Sequence, residues 1–185
     1  MVSGETGLLD LNIMRSELMT DLRKGFFIAV IVLVFFMGTF IMAKYATAGE
    51  IGRDGRFISY DNGTVLDTRT KLMWAAKDNG SNINWQNAKS YCENYRGGGY
   101  TDWRMPTQNE LTRLYDVNKS RPVACDRRHN IHVVTELIDI TCFAPWTSDT
   151  RGSDAAYVRF SDGSRIFYHQ FFDRSFRALP VRSGK

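Results

Sequence analysis

Hydrophobic and polar positions divide this chain of 185 residues into one uniformly apolar block and a longer stretch of short alternating patterns. The block, Gly25 to Ala43, holds no charged residue. As a helix it would rise about 28 Å, near the thickness of a bilayer's hydrocarbon core. It shows no polar face, unlike a core helix of a soluble domain, and so reads as a transmembrane or signal-anchor helix. Arg15, Arg23 and Lys24 precede it and only Lys44 follows closely, which places the N-terminus in the cytoplasm and exports the rest. Ala46-Thr47-Ala48 has the small-residue pattern of a signal peptidase site, so both a retained anchor and cleavage after Ala48 stay open. The expected division is a cytoplasmic leader at 1–24, the membrane helix at 25–43, a glycine-rich linker at 44–56 and one folded domain at 57–183.

Within the domain, FISYDNGTVLD (57–67) sets Asn62-Gly63 between β-forming runs. A hairpin is predicted there, with the Asn-Gly pair supplying two positive-φ residues. A third strand follows, ending near Trp74. INWQNAKSYCENY then brings Trp85, Ala88, Tyr91, Cys92 and Tyr95 onto one helical face behind Asn84 as N-cap, and Gly97-Gly98-Gly99 ends that helix. Thr107 and Glu110 match a capping box, with Pro106 forcing an extended approach to a second, short helix that turns Leu111, Leu114 and Tyr115 inward. Residues 116–145 have little periodicity and read as a long excursion with possible short strands such as HVVTEL. β character returns in AAYVRF, RIFYHQFF and RALPVR, the first two joined at Asp162-Gly163.

Charge and cysteines add compartment and chemistry. Residues 1–48 hold four basic and four acidic residues, so the net +4 belongs entirely to the exported part. That excess suits an anionic partner, a glycan or an envelope protein, and equally suits ordinary solubility. No nucleic-acid motif accompanies it, and nucleic acid is not an expected partner. Of the three cysteines, Cys125 and Cys142 lie in the loop-like middle and are expected to pair, in a compartment where disulfides persist. Cys92 sits on the apolar helix stripe as a small buried thiol. His129, His132 and His169 are scattered without ligand spacing, so neither a metal site nor a cofactor is expected. No GxSxG or phosphate loop is present.

Trp103 and Arg104 read as framework, the indole in the core and the guanidinium forked onto a carboxylate and backbone carbonyls. Interleaved aromatic and Arg residues in the C-terminal half, Tyr157 and Arg159 among them, suit a binding face or, alternatively, the core and rim of a sheet. The candidate ligand-binding residues are Trp146, Asp149, Arg151, Arg165, Tyr168 and Arg174, joined by Arg127 and Arg128 from the basic cluster of Lys119, Arg121 and His129. Cys125, Cys142, Trp103, Arg104, Pro106, Thr107 and Glu110 are assigned to structure.

The succession DNGTVLDTRTKLMW, NWQNAKSYCENY, GGYTDWRMPTQNEL, WTSDT, AAYVRFSDG and LPVR resembles the Lcl C-terminal domain family, from about Phe57 to Arg182. The resemblance implies an α+β, C-type lectin-like fold, with two helices packed on small twisted antiparallel sheets and paired terminal strands. Related formylglycine-generating enzymes share an Arg-x-Pro-Thr-x-x-Glu segment, matched by Arg104, Pro106, Thr107 and Glu110. Their C-terminal cysteine pair is missing after Cys142, and so are the calcium-binding Glu-Pro-Asn and Gln-Pro-Asp motifs of true C-type lectins. The expected function is a non-catalytic binding module of the bacterial cell envelope, anchored or secreted, that recognises an anionic glycan or a protein. The alternatives are an accessory subunit of an envelope complex and a diverged enzyme of the sulfatase-modifying type.

Overall fold

The computed structural model describes residues 48–184, together with Met14, Arg15, Leu18, Met19, residues 21–24 and Phe26, each of them helical. The chain divides into two compact units, Met1–Thr47 and Ala48–Lys185. Except for Phe26, the apolar block 25–43 lies outside the described residues, as do Ala46 and Thr47 of the cleavage pattern. Among the described residues no helix is long and apolar enough to cross a membrane.

The expected α+β architecture with a membrane helix is corrected by the balance of elements, 38% strand against 18% helix among the described residues. The helices of the second unit are short: α1 (Trp85–Asn94), one 3-10 turn at Gly97–Gly99 and α2 (Gln108–Thr112). Strands outweigh them because much of the expected linker and excursion is β-structure. The supposed linker contains β1 (Glu50–Asp54), and the excursion contains β5 (Arg121–Val123) and β6 (Asp126–Ile131). HVVTEL forms no strand and contributes one isolated bridge, Val133 to Tyr115.

A five-stranded antiparallel sheet runs β1, β2 (Phe57–Tyr60), β3 (Thr64–Asp67), β4 (Leu72–Ala75), β11 (Val181–Ser183), so the last strand returns to pair with β4 through Val181 and Trp74. The β2–β3 turn differs from the tight form that Asn-Gly suggests. Only Gly63 has positive φ, 76°, and its N-H donates to Tyr60 O at 3.1 Å, the pattern of a three-residue turn closed by a left-handed glycine. The second sheet has the order β10 (Phe176–Arg177), β7 (Ala144–Arg151), β8 (Asp154–Arg159), β9 (Ser164–His169), with β10 parallel to β7. The β5–β6 pair is fastened to the segment before β7 by the Cys125–Cys142 disulfide, as the sequence suggests.

Two buried clusters result. One gathers Phe57, Val65, Trp74, Leu111, Leu114, Ile131 and Phe160 around the five-stranded sheet and α2. The other packs Ala88 and Cys92 of α1 against Met105, Trp146, Ala155 and Phe176. α1 starts where Asn84 accepts from the Asn87 N-H at 2.9 Å, and α2 starts with the reciprocal Thr107–Glu110 capping box.

Candidate functional site

β8 and β9 position the site. Tyr157 pairs with Ile166 and Ala155 with Tyr168, and paired residues share a face of the sheet. Tyr157, Arg159 and Tyr168 therefore point to one side, opposite Val158 and Arg165. On that side lies a cleft of 400 Å³ whose apolar walls are Phe143, Tyr157, Tyr168 and Phe176, and whose rim carries His129, Arg159 and Arg174. The Phe176 ring stands edge-on to Tyr157 at 5.0 Å and lies nearly parallel to the buried Trp146 at 3.9 Å.

A buried polar network holds Phe176 in place. Arg177, next along β10, donates to the Thr141 hydroxyl at 2.7 Å, to Asn82 Oδ1 at 3.0 Å and to the Phe176 carbonyl at 2.8 Å. Thr141 in turn donates from its backbone N-H (2.7 Å) and its hydroxyl (2.9 Å) to Asp78, which also accepts from Gly80 N-H. Burial raises the Asp78 carboxyl above its ordinary value and lowers Arg177 below its own. The network ties the segment before β7 to β10.

Two of the three basic rim residues, His129 and Arg159, already have carboxylate partners, as does Arg128 beside them. Arg128 grips Asp126 with two bonds of 3.0 Å, and His129 Nδ1 lies 3.1 Å from the same carboxylate. Arg159 forks onto Asp162. Those arginine contacts hold both Asp126 and Asp162 well below the usual carboxylate range. Among the described residues no carboxylate pairs with Arg174, which stands exposed at the cleft mouth.

The candidate binding residues do not form one face. Trp146 is a correction: it is fully buried, stacked on Phe176 with its indole N-H given to Ile83 O at 3.0 Å, so it supports the cleft from behind. Arg165 bonds Asn109 of α2 at 2.9 Å, Asp149 accepts the Gln108 N-H at 2.6 Å, and Arg151 covers the Phe167 ring at 4.7 Å. Arg165 and Phe167, paired with Val158 and Ala156, belong to the face opposite Tyr157. Only Tyr168 and Arg174 line the cleft, while Arg127 and Arg128 stand exposed beside His129 on β6. Reasoning from sequence omitted Phe143 and Phe176, whose meeting depends on a parallel pairing that has no local signal. That Tyr157 and Tyr168 share a face, as diagonal neighbours across β8 and β9, follows from the hairpin register about the Asp162-Gly163 turn.

Of the residues assigned to structure, Trp103, Arg104, Pro106, Thr107 and Glu110 lie outside the cleft lining, while the Cys125–Cys142 disulfide adjoins it through Phe143. Trp103 is buried, donates to Gly97 O at 3.0 Å and meets Tyr95 edge-on. Arg104 forks onto Glu110 at 2.7 and 2.8 Å and exchanges both backbone bonds with Val181. Pro106 is buried between Arg104 and the capping box. Cys92 is a buried free thiol, its pKa pushed up by burial. Among the described residues no group of His, Cys, Asp and Glu could hold a metal ion.

The profile of the Lcl C-terminal domain matches residues 63–182. The chain belongs to the Lcl C-terminal domain family. A search of curated proteins returned no match. Lcl C-terminal domains are of the cell-envelope and extracellular type, in keeping with the disulfide. In this Lcl C-terminal domain the matched region takes in β3 through most of β11 and every residue that lines the cleft, and it leaves out β1 and β2.

Proposed function

We propose that this Lcl C-terminal domain is a non-catalytic binding module of the cell envelope that takes an anionic glycan in the Phe143–Tyr157–Tyr168–Phe176 cleft. The observation that carries the reading is the pairing of an aromatic-walled concavity with Arg174, a cation engaged by no carboxylate among the described residues. Aromatic walls offer flat apolar area to sugar faces at little entropic cost, and a guanidinium forks onto sulfate or carboxylate. The +4 charge of the exported segment adds long-range attraction. Cys92 is fully buried with its thiol held protonated, a poor nucleophile, which argues for binding over thiol chemistry.

The test is titration of the full-length chain with heparin at low and high salt, with calcium or a chelator. Arg174→Ala and Tyr168→Ala are expected to weaken binding by about tenfold each, with binding salt-sensitive and indifferent to the chelator. Arg151→Ala and Arg165→Ala, on the α2 side, are expected to change it less than about twofold. The reverse ranking would move the site to the α2 face. Absence of binding would favour a protein partner in the envelope.

A further inference from the structure

The cleft continues outward along an aromatic run. Beyond β9 the chain turns through residues 170–175, and Phe171 and Phe172 stand 69% and 38% exposed, beside Tyr168 at 41%. Their ring centroids are contiguous: Tyr168 to Phe172 is 4.6 Å and Phe172 to Phe171 is 4.9 Å. Inward, Tyr168 leads to Phe176 at 6.1 Å, and Tyr168 and Phe176 both line the cleft. Phe171 also stacks on His169 at 5.5 Å. Such a group of exposed rings is disfavoured by water and marks a contact surface.

The turn that carries these rings is tied down. Trp85 N-H donates to Gln170 O at 3.0 Å, Ile83 N-H to Asp173 O at 3.3 Å, and Ser175 N-H to Asn82 Oδ1 at 3.1 Å. These bonds run to the α1 approach, so the rings project from a held backbone and little ordering cost remains to be met on binding.

We infer that Tyr168, Phe172 and Phe171 form an outward series of subsites, so that the domain reads several consecutive sugar units of a polymer and not a single terminal sugar. The inference rests on the proposed glycan cleft. Its support is continuity: Tyr168 belongs to both surfaces, and the ring-to-ring steps are comparable with the length of one sugar unit in a chain. Arg174, two residues beyond Phe172, stands where charge on the same chain would pass.

The experiment is titration of the full-length chain with heparin oligosaccharides of two, four, six and eight units. Affinity is expected to rise about tenfold from disaccharide to hexasaccharide as stacking contacts accumulate. The Phe171→Ala/Phe172→Ala double variant should keep its disaccharide affinity and lose the rise, and Phe171→Tyr, which retains the ring, should keep both. Charge is unchanged in all three proteins, so their salt dependence should coincide. A rise preserved in the double variant, or no rise in the unmodified chain, overturns the inference while leaving the cleft standing. No binding at any length overturns the cleft itself. A flat length series, with phosphatidylglycerol vesicles bound by the unmodified chain and not by the double variant, assigns the rings to a lipid surface and also overturns it.

Discussion

Glu110 shows how much one side chain can organise. Its carboxylate receives two bonds from Arg104 and one from the Thr107 N-H, so it caps α2 and ties that helix to the Arg104–Val181 bridge. Burial pushes its pKa up, but the arginine and the cap bonds outweigh burial, and the net value lies below the ordinary one near 4.5. A depressed folded pKa means that the unfolded chain takes up the proton first. The contribution of Glu110 is therefore complete above about pH 5 and is lost as pH falls through the folded value. Glu110→Gln should cost about 1–2 kcal/mol at pH 7, and the gap to the unmodified protein should narrow toward pH 3. Denaturant unfolding at both pH values checks this, and an unchanged gap would show that the lost acceptor, not the charge, carries the effect. This residue was legible in the sequence because Thr-x-x-Glu is a local signal. Trp146 was not, since a Trp among arginines reads equally well as a contact or as core. Its full burial and the stack on Phe176 decide for the core.

The same contrast holds for elements. α1, α2 and the two hairpins were readable from caps, periodicity and Asn-Gly or Asp-Gly turns, all of them within a few residues of the structure they specify. β1 was hidden in a glycine-rich stretch, and β10 is a two-residue strand in parallel pairing with β7. The disulfide and the Arg177 network together hold that pairing beside the β5–β6 ribbon, and each can be removed separately. Cys125 and Cys142 close a 17-residue separation, so Cys125→Ser/Cys142→Ser should destabilise by about 3 kcal/mol on the chain-entropy estimate. It should also weaken heparin binding, because Phe143 follows Cys142 directly and His129 lies on the ribbon. Arg177→Met removes the guanidinium donor from the Thr141 hydroxyl, the Phe176 carbonyl and Asn82 Oδ1, the last of which keeps the Ser175 N-H, at a cost of about 2–4 kcal/mol. Thermal melting measures both effects. Equal melting temperatures for Arg177→Met and the unmodified protein would show that hydrophobic packing alone seats β10.

At the scale of the whole domain, most pairings that shape the molecule are distant in sequence: β11 with β4, β10 with β7, and α1 against the far sheet. Local patterns therefore suggested more helical weight than the fold contains, although the family and its framework were readable. The cleft arises only when β6, the start of β7, the β8–β9 hairpin and β10 meet, so its composition was scattered over almost fifty residues of sequence. Global stability also separates a binding module from a thiol enzyme. Cys92 is fully buried under α1, with its pKa raised by burial, so its alkylation requires an opening that exposes the second core cluster. The native chain at pH 8 should resist iodoacetamide, with labelling rates that rise with denaturant in parallel with the unfolded or opened population. Cys92→Ala should leave heparin affinity unchanged while costing about 1 kcal/mol of stability through lost packing. Rapid labelling of the native protein, or loss of binding in Cys92→Ala without loss of fold, would instead give the thiol a chemical role and bring back the enzymatic alternative.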